Sequence, residues 1–162
     1  MEQLHLLSTE YKSCAITGHR HLPKDFSTER LKQALRTLIE SGVENFYNGL
    51  ALGFDLITAE TLLSLQEEYP HIKLYGCIPF YGQENRFPAE DKLRYANVVK
   101  GCTETVTLSD SYYSGCYFKR NDYMVERADV LFAYCTTDKG GAAYTVRTFS
   151  KKKGFNNIVF FE

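Results

Sequence analysis

With 162 residues, 44% of them apolar and 24% charged, the chain has the length and composition of one globular domain with a proper core, which excludes a disordered segment. A formal net charge of −1, with Lys151-Lys152-Lys153 as the one basic run, gives no electrostatic reason for tight binding to nucleic acid or an anionic membrane. No run nears the roughly 18 apolar residues of a membrane span, and the five cysteines form no Cys-x-x-Cys pair.

The opening Met1-Glu2-Gln3-Leu4-His5 lacks the basic region of a signal peptide. Residues 1–11 read as a polar lead-in. Ser13–Thr17 is a short, nearly continuous apolar run, as expected of a strand buried on both faces of a parallel sheet, and it ends at Gly18-His19-Arg20. A helix begins near Ser27, carries Leu31, Ala34, Leu35, Leu38 and Ile39 on one face, and stops at Ser41-Gly42. Val43–Tyr47 is a second strand. It leads through Asn48–Asp55, a glycine-bearing turn, into a helix that reaches Glu68 before Pro70.

Ile72–Ile78 makes a third strand, with Pro79-Phe80 at its carboxyl end. After a polar loop, a helix from about Pro88 carries Leu93, Ala96 and Val99. Thr103–Leu108 is a fourth strand, Ser109–Cys116 a tyrosine-bearing loop, Phe118–Arg127 a helix and Asp129–Cys135 a fifth strand. The turn Thr136–Gly141 opens a last helix with Ala142, Val146 and Phe149 inward. Its end at Lys153-Gly154 puts the lysine run where cations complement the helix dipole. Asn157–Phe161 closes a sheet of about six strands. Strands alternating with helices of this length predict an α/β fold: a doubly wound, Rossmann-like domain, mostly parallel, with helices on both faces.

In such sheets ligands bind beyond the carboxyl ends of the strands, near the point where strand order reverses. The chemistry-bearing residues of this chain gather there. Gly18, Gly49, Gly53 and Gly140-Gly141 belong to three strand-to-helix turns, where free N–H groups and the positive end of a helix dipole suit a phosphate and glycine lets the backbone approach it. Such turns also favour glycine on conformational grounds alone. Arg20 offers a bidentate clamp for phosphate oxygens, or is a surface arginine in a turn. His19 reads as an acid, a base, a phosphate contact or simply a hydrogen-bonding turn residue.

Asp55 is placed to bind a ribose hydroxyl or to cap its own helix. Arg120 and Asn121 stand near a helix start, where a cation opposes the dipole; a bound anion or a surface salt bridge would account for Arg120. Thr145 offers a hydroxyl to a phosphate or to its own helix backbone. His5, His19, His21 and His71 show no metal-ligand spacing, so no metal is expected. Gly-x-Ser-x-Gly, the P-loop and Gly-x-Gly-x-x-Gly are absent, and no catalytic residue is assigned.

Together, Ile16-Thr17-Gly18-His19-Arg20, Gly49–Asp55, Ile78-Pro79-Phe80-Tyr81, Arg120–Val125 and Gly140–Thr145 resemble the motifs of the SLOG superfamily, in family order across residues 13–150. The chain looks closest to the YpsA-like branch of small bacterial proteins, and more distantly like the LOG-type phosphoribohydrolases and the DprA-like proteins. The resemblance implies a sheet-end pocket for a nucleotide or nucleotide-derived ligand, lined by the glycine turns and Arg120-Asn121. Relatives often form dimers, so it also implies a homodimer as one assembly.

Two departures stand out. Asn48 occupies a position where many members have glycine. The phosphoribohydrolase signature Gly-Gly-x-Gly-Thr-x-x-Glu has Ala143 at its fourth position, and Val146, Arg147 and Thr148 supply no glutamate. The leading expectation is therefore binding or sensing of a nucleotide-like small molecule in a reduced cytoplasmic protein, with the cofactor unknown. The alternatives are an N-glycoside hydrolase of nucleoside monophosphates, with Asp55, Asp110 or Asp138 replacing the glutamate, and a nucleic-acid or protein interaction module, of which nucleic acid is disfavoured by charge.

Overall fold

Each apolar run of the sequence becomes a strand and each 3.6-periodic segment a helix. A computed structural model describes residues 11–162, so the expected lead-in lies almost wholly outside the described residues. The elements are β1 (Ser13–Gly18), α1 (Thr28–Glu40), β2 (Asn45–Asn48), α2 (Phe54–Leu65), β3 (Lys73–Ile78), α3 (Ala89–Gly101), β4 (Glu104–Thr107), α4 (Cys116–Arg127), β5 (Val130–Tyr134), α5 (Gly141–Lys153) and β6 (Ile158–Phe160). All the strands are parallel, in the order β4-β3-β2-β1-β5-β6.

The chain thus builds outward from β1 to one edge, then returns to β1 and builds outward to the other. With crossovers of constant hand, that reversal must move the helices to the opposite face. The packing follows. On one face Leu31, Leu35 and Leu38 of α1, Leu56 and Leu62 of α2, and Tyr95 and Val98 of α3 pack on Cys14, Ile16, Phe46, Leu74 and Phe132. On the other, Met124 and Val125 of α4 and Phe149 of α5 pack on Ala15, Leu131 and Ala133. β1 is buried on both sides, as its unbroken apolar run predicts.

α1 starts where expected: the Ser27 hydroxyl accepts from the Arg30 N–H at 3.1 Å. The Lys153 ammonium donates to the carbonyls of Glu126 and Ala128, at 3.2 and 3.0 Å, so the lysine that ends α5 satisfies the end of α4.

Four details depart from the sequence expectation. Leu93 of α3 is 69% exposed and Ala96 is exposed too, whereas Tyr95 and Val98 face the core. The polar loop before α3 contains a 3-10 turn, Gln83–Arg86, that buries Gln83. Val146 is only half-buried, and Ala143 and Thr145 are buried instead. Cys135 lies beyond the end of β5.

Among the described residues no helix is long and apolar enough to cross a membrane.

Candidate functional site

The carboxyl end of β1 sits between the turns that follow β2 and β5, and a cavity of about 170 Å³ opens there. Its wall comes from four places: Thr17–Arg20 after β1, Ala51 and Asp55 after β2, Tyr117, Arg120, Asn121 and Met124 on α4, and Lys139–Ala142 at the start of α5. This is the point where strand order reverses. Of the residues singled out from sequence, Gly18, His19, Arg20, Asp55, Arg120, Asn121, Gly140 and Gly141 line it; Gly49, Gly53 and Thr145 do not.

The first two glycine turns make room for protein, not for ligand. A Cβ on Gly18 would run into the ring and Cβ of Phe54, the first residue of α2. That ring packs tightly against Phe132, Tyr134 and Phe161 in the core. At Gly53, where φ is 81°, a Cβ would overlap the backbone carbonyls of His19 and Arg20. At Gly49 it would lie 2.5 Å from Nη1 of Arg120.

The third turn is different. A Cβ on Gly140 would meet nothing within 4 Å, and one on Gly141 would meet only Nδ2 of Asn121, at 3.9 Å. No side chain caps α5, whose first backbone bond runs from the Tyr144 N–H to the Gly140 carbonyl at 3.0 Å. The N–H groups of Gly141 and Ala142 thus precede the first bond of the helix, on the cavity wall at the positive end of its dipole.

The turn after β2 is built by Asn48. Its Oδ1 accepts from the Leu50 N–H and its Nδ2 donates to the Asp55 carbonyl, each at 2.8 Å. Leu50 takes φ 57°, the left-handed region. That conformation costs a non-glycine residue about 1–2 kcal/mol, and two buried hydrogen bonds of about 1 kcal/mol each offset it.

Arg120 stands one turn into α4, which begins at Cys116, two residues earlier than expected. It is 4% exposed, so it is not part of a surface salt bridge. Nη1 donates to the Gly49 carbonyl at 2.7 Å and Nε to Oδ1 of Asn121 at 2.8 Å. Gln83, in the 3-10 turn, donates from Nε2 to the same Gly49 carbonyl at 3.0 Å. Arg20 lies with Cζ 4.9 Å from the centre of the Tyr117 ring, over which Arg120 also lies at 5.8 Å. Among the described residues no carboxylate oxygen lies within ion-pair distance of either guanidinium.

Asp55 is the one carboxylate among the described residues that lines the cavity. It caps none of the α2 N–H groups. Oδ2 accepts from the Ala51 N–H at a long 3.4 Å, and Oδ1 is buried with no partner among the described residues. Burial pushes the carboxyl up to about 6, against the pull of Arg120, the Ala51 N–H and Arg20. Burial also lowers the guanidinium of Arg120, opposed chiefly by Asp55, yet an arginine in this setting stays charged.

His19 spans two turns: the Thr136 N–H donates to its Nε2 at 2.8 Å, and its own carbonyl accepts from the Phe54 N–H at 3.0 Å. With Nε2 accepting, the imidazole is neutral and ties the β1 turn to the β5 turn. The Thr145 hydroxyl donates to the Gly141 carbonyl at 2.9 Å and is fully buried. Asp110 and Asp138 are exposed and outside the cavity. Among the described residues no group of His, Cys, Asp and Glu is arranged to hold a metal.

Sequence reasoning missed Tyr117 and Lys139. Tyr117 is three residues before Arg120 on one helix, a spacing that places both on one face.

The sequence model of the YpsA family, described as the YspA SLOG family, matches residues 10–160. The chain belongs to this family. A relative, the UPF0398 protein of Halalkalibacterium halodurans, is 28% identical over 149 residues, which cover 90% of this chain and 79% of the relative. Among solved structures, DNA processing protein A from Streptococcus pneumoniae matches with a TM-score of 0.62 at 16% identity, over 94% of this chain and 50% of that protein. DNA processing protein A from Helicobacter pylori, whose structure concerns its single-stranded DNA binding mode, matches with a TM-score of 0.62 at 20% identity, over 99% of this chain and 67% of that protein. The chain spans half the length of the first of these, and both likenesses are of fold. The family's architecture, a Rossmann-like parallel sheet with helices on both faces, is the one observed.

Proposed function

We propose that the chain binds a nucleotide or nucleotide-derived small molecule at the carboxyl ends of β1, β2 and β5, with its phosphate against Arg20, Arg120 and the start of α5. The observation that carries this reading is Asp55, a buried carboxylate with an unpartnered oxygen, on the wall of a cavity that also holds two guanidiniums without carboxylate partners. A lone inorganic anion would satisfy the guanidiniums and the free N–H groups but would crowd an unpaired carboxylate. A phosphorylated sugar satisfies both, the phosphate taking the cations and a hydroxyl donating to the Asp55 carboxylate. The ligand class is therefore one that carries an anion and a hydroxyl a few bonds apart.

The test is a thermal-shift screen with AMP, ATP, NAD, ADP-ribose and ribose 5-phosphate. A ligand at about 100 times its dissociation constant stabilises by roughly 2.7 kcal/mol, or about 5–10 °C for a chain of this size. A shift of that order is expected for at least one compound, and none for any of them would overturn the reading.

A second reading, N-glycoside hydrolysis, draws on the same carboxyl. A group held near 6 is poised for proton transfer at neutral pH, which partly answers the missing glutamate of α5. Chromatography of AMP after incubation tests it: free adenine that disappears in Asp55→Asn supports it, and intact AMP beside measurable binding sinks it. For single-stranded DNA, the net charge of −1 supports no strong binding, and a gel shift at low salt is expected to be blank.

A further inference from the structure

The cavity, at about 170 Å³, is well short of the roughly 300 Å³ at which pockets for drug-sized ligands begin. It can enclose the phosphate and sugar of a mononucleotide, so the base must lie outside its mouth. Next to the cavity wall stands an aromatic cluster. Tyr117 lines the cavity; the ring of Tyr112 is 6.2 Å from it, and Phe80 meets both edge-on, at 5.6 and 5.9 Å. Tyr112 is 61% exposed, so its packed side is held while a face of the ring stays open.

The loop that carries it is braced. The Tyr81 N–H donates to the Ser109 carbonyl at 3.0 Å, the Leu108 N–H to the Ile78 carbonyl at 3.0 Å, and the Ser109 hydroxyl to the Ser111 carbonyl at 2.7 Å. Tyr81 and Tyr113 are exposed as well, but among the described residues neither makes a ring contact that links it to the cavity wall.

We propose that Tyr112, backed by Phe80 and Tyr117, is the stacking platform for the base of a mononucleotide whose phosphate and sugar occupy the cavity. The proposal rests on the nucleotide reading above and extends it to a base subsite. A rigid aromatic with one free face is a stacking surface for any base, because every base has a π-face. The platform therefore favours nucleotides over sugar phosphates without selecting strongly among bases, and a purine, with the larger face, binds tightest.

Calorimetric titration of AMP and of ribose 5-phosphate, into the wild type and into Tyr112→Ala and Tyr112→Phe, tests this. Stacking of one base should make AMP bind roughly 5- to 150-fold tighter than ribose 5-phosphate. Tyr112→Ala should bring AMP to within about twofold of the sugar phosphate and leave the latter's affinity unchanged, while Tyr112→Phe keeps the wild-type gap. Equal affinities of the wild type for the two ligands would overturn the platform and leave the nucleotide reading standing, as would equal losses of both ligands in Tyr112→Ala. Binding of neither ligand would overturn the platform, and the nucleotide reading falls with it if ATP, NAD and ADP-ribose also fail to bind. Tyr112-dependent binding of a single-stranded oligonucleotide without binding of AMP would overturn the mononucleotide in favour of a polymer.

Discussion

Nη1 of Arg120 donates to the carbonyl of Gly49 at 2.7 Å, across 71 residues of chain. One bond thereby fixes a buried cation over the cavity and holds the turn after β2 in place. It also explains why residue 49 is glycine: the guanidinium occupies the volume of a side chain there. The glycines of this site sort into those that make room for protein and those that leave space open, and that division can be tested.

Gly49→Ala should destabilise the protein by about 1–3 kcal/mol by displacing the Arg120 guanidinium. Gly53→Ala should cost more, because it meets backbone at a positive φ. Gly141→Ala should leave the melting temperature unchanged or slightly raised, yet weaken ribose 5-phosphate about tenfold or more by obstructing backbone N–H groups aimed at the anion. Melting curves and titrations on the three variants separate the two kinds of glycine; a stable Gly53→Ala would contradict the packing described.

The two arginines divide in the same way. Arg120→Ala removes a buried cation, strips the partner from Asn121 Oδ1 and takes away the nearby charge that favours the ionised Asp55, so a loss of about 3 kcal/mol is expected. Arg20→Ala, at an exposed position, should stay within about 0.5 kcal/mol of the wild type while weakening sugar-phosphate binding about tenfold or more. Chemical denaturation and calorimetry measure both effects. Equal stability losses would show that Arg20 is structural.

Asp55 gives the protein a characteristic pH dependence. Below about pH 4 the carboxyl is protonated in the folded and the unfolded chain and costs nothing. As pH rises from about 4 to about 6, the unfolded chain ionises while the folded one holds its proton, so stability falls. A shift of about two units corresponds to about 3 kcal/mol, fully lost above pH 6. Without ligand, Asp55→Asn should therefore be more stable than the wild type at pH 7, and the gap should close towards pH 4. A gap independent of pH would mean that Asp55 is not buried and unpaired.

Asn48→Gly should destabilise the protein by about 2 kcal/mol. Two hydrogen bonds of a fully buried amide are lost, and Leu50 keeps its left-handed φ without the bond that holds it there. Urea unfolding of the variant is the measurement. An unchanged midpoint would mean that the turn is held by its flanking elements alone.

The centre of the sheet was legible because β1 and β5 are buried on both faces and so read as apolar runs. The face of α3 was not. Leu93, Ala96 and Val99 look like an apolar stripe, but Arg94 is drawn onto Glu60 of α2, and Tyr95 packs on Phe87 with its hydroxyl accepting from Gln83. These contacts rotate the helix, and a stripe within one segment does not encode them. At the site, the clustering of Gly18, Arg20, Asp55 and Gly141 followed from topology alone, since they lie beyond strand ends that meet, whereas Arg120, on the helix after the edge strand β4, was expected there only from the family resemblance. The purpose of each glycine did not follow, because Phe54 and the Arg120 guanidinium reach Gly18 and Gly49 from elsewhere in the chain. Tyr117 was hidden in a loop-to-helix boundary placed two residues late.

The place of β1 in the sheet has a consequence for how the protein is made. β1 and β2 are neighbours in sequence and in space, whereas the other edge of β1 waits for β5, to which Ser13 is tied across 116 residues by the Asp129 carboxylate. During synthesis the first three strands and their helices can assemble as a local unit, with that edge of β1 uncovered. The start of α5, which supplies N–H groups to the cavity wall, emerges only after β5. A chain stopped short of Gly140 would hold Asp55 and both arginines but not the helix end that meets the anion. Ligand therefore cannot guide the early steps of folding and can only stabilise their outcome.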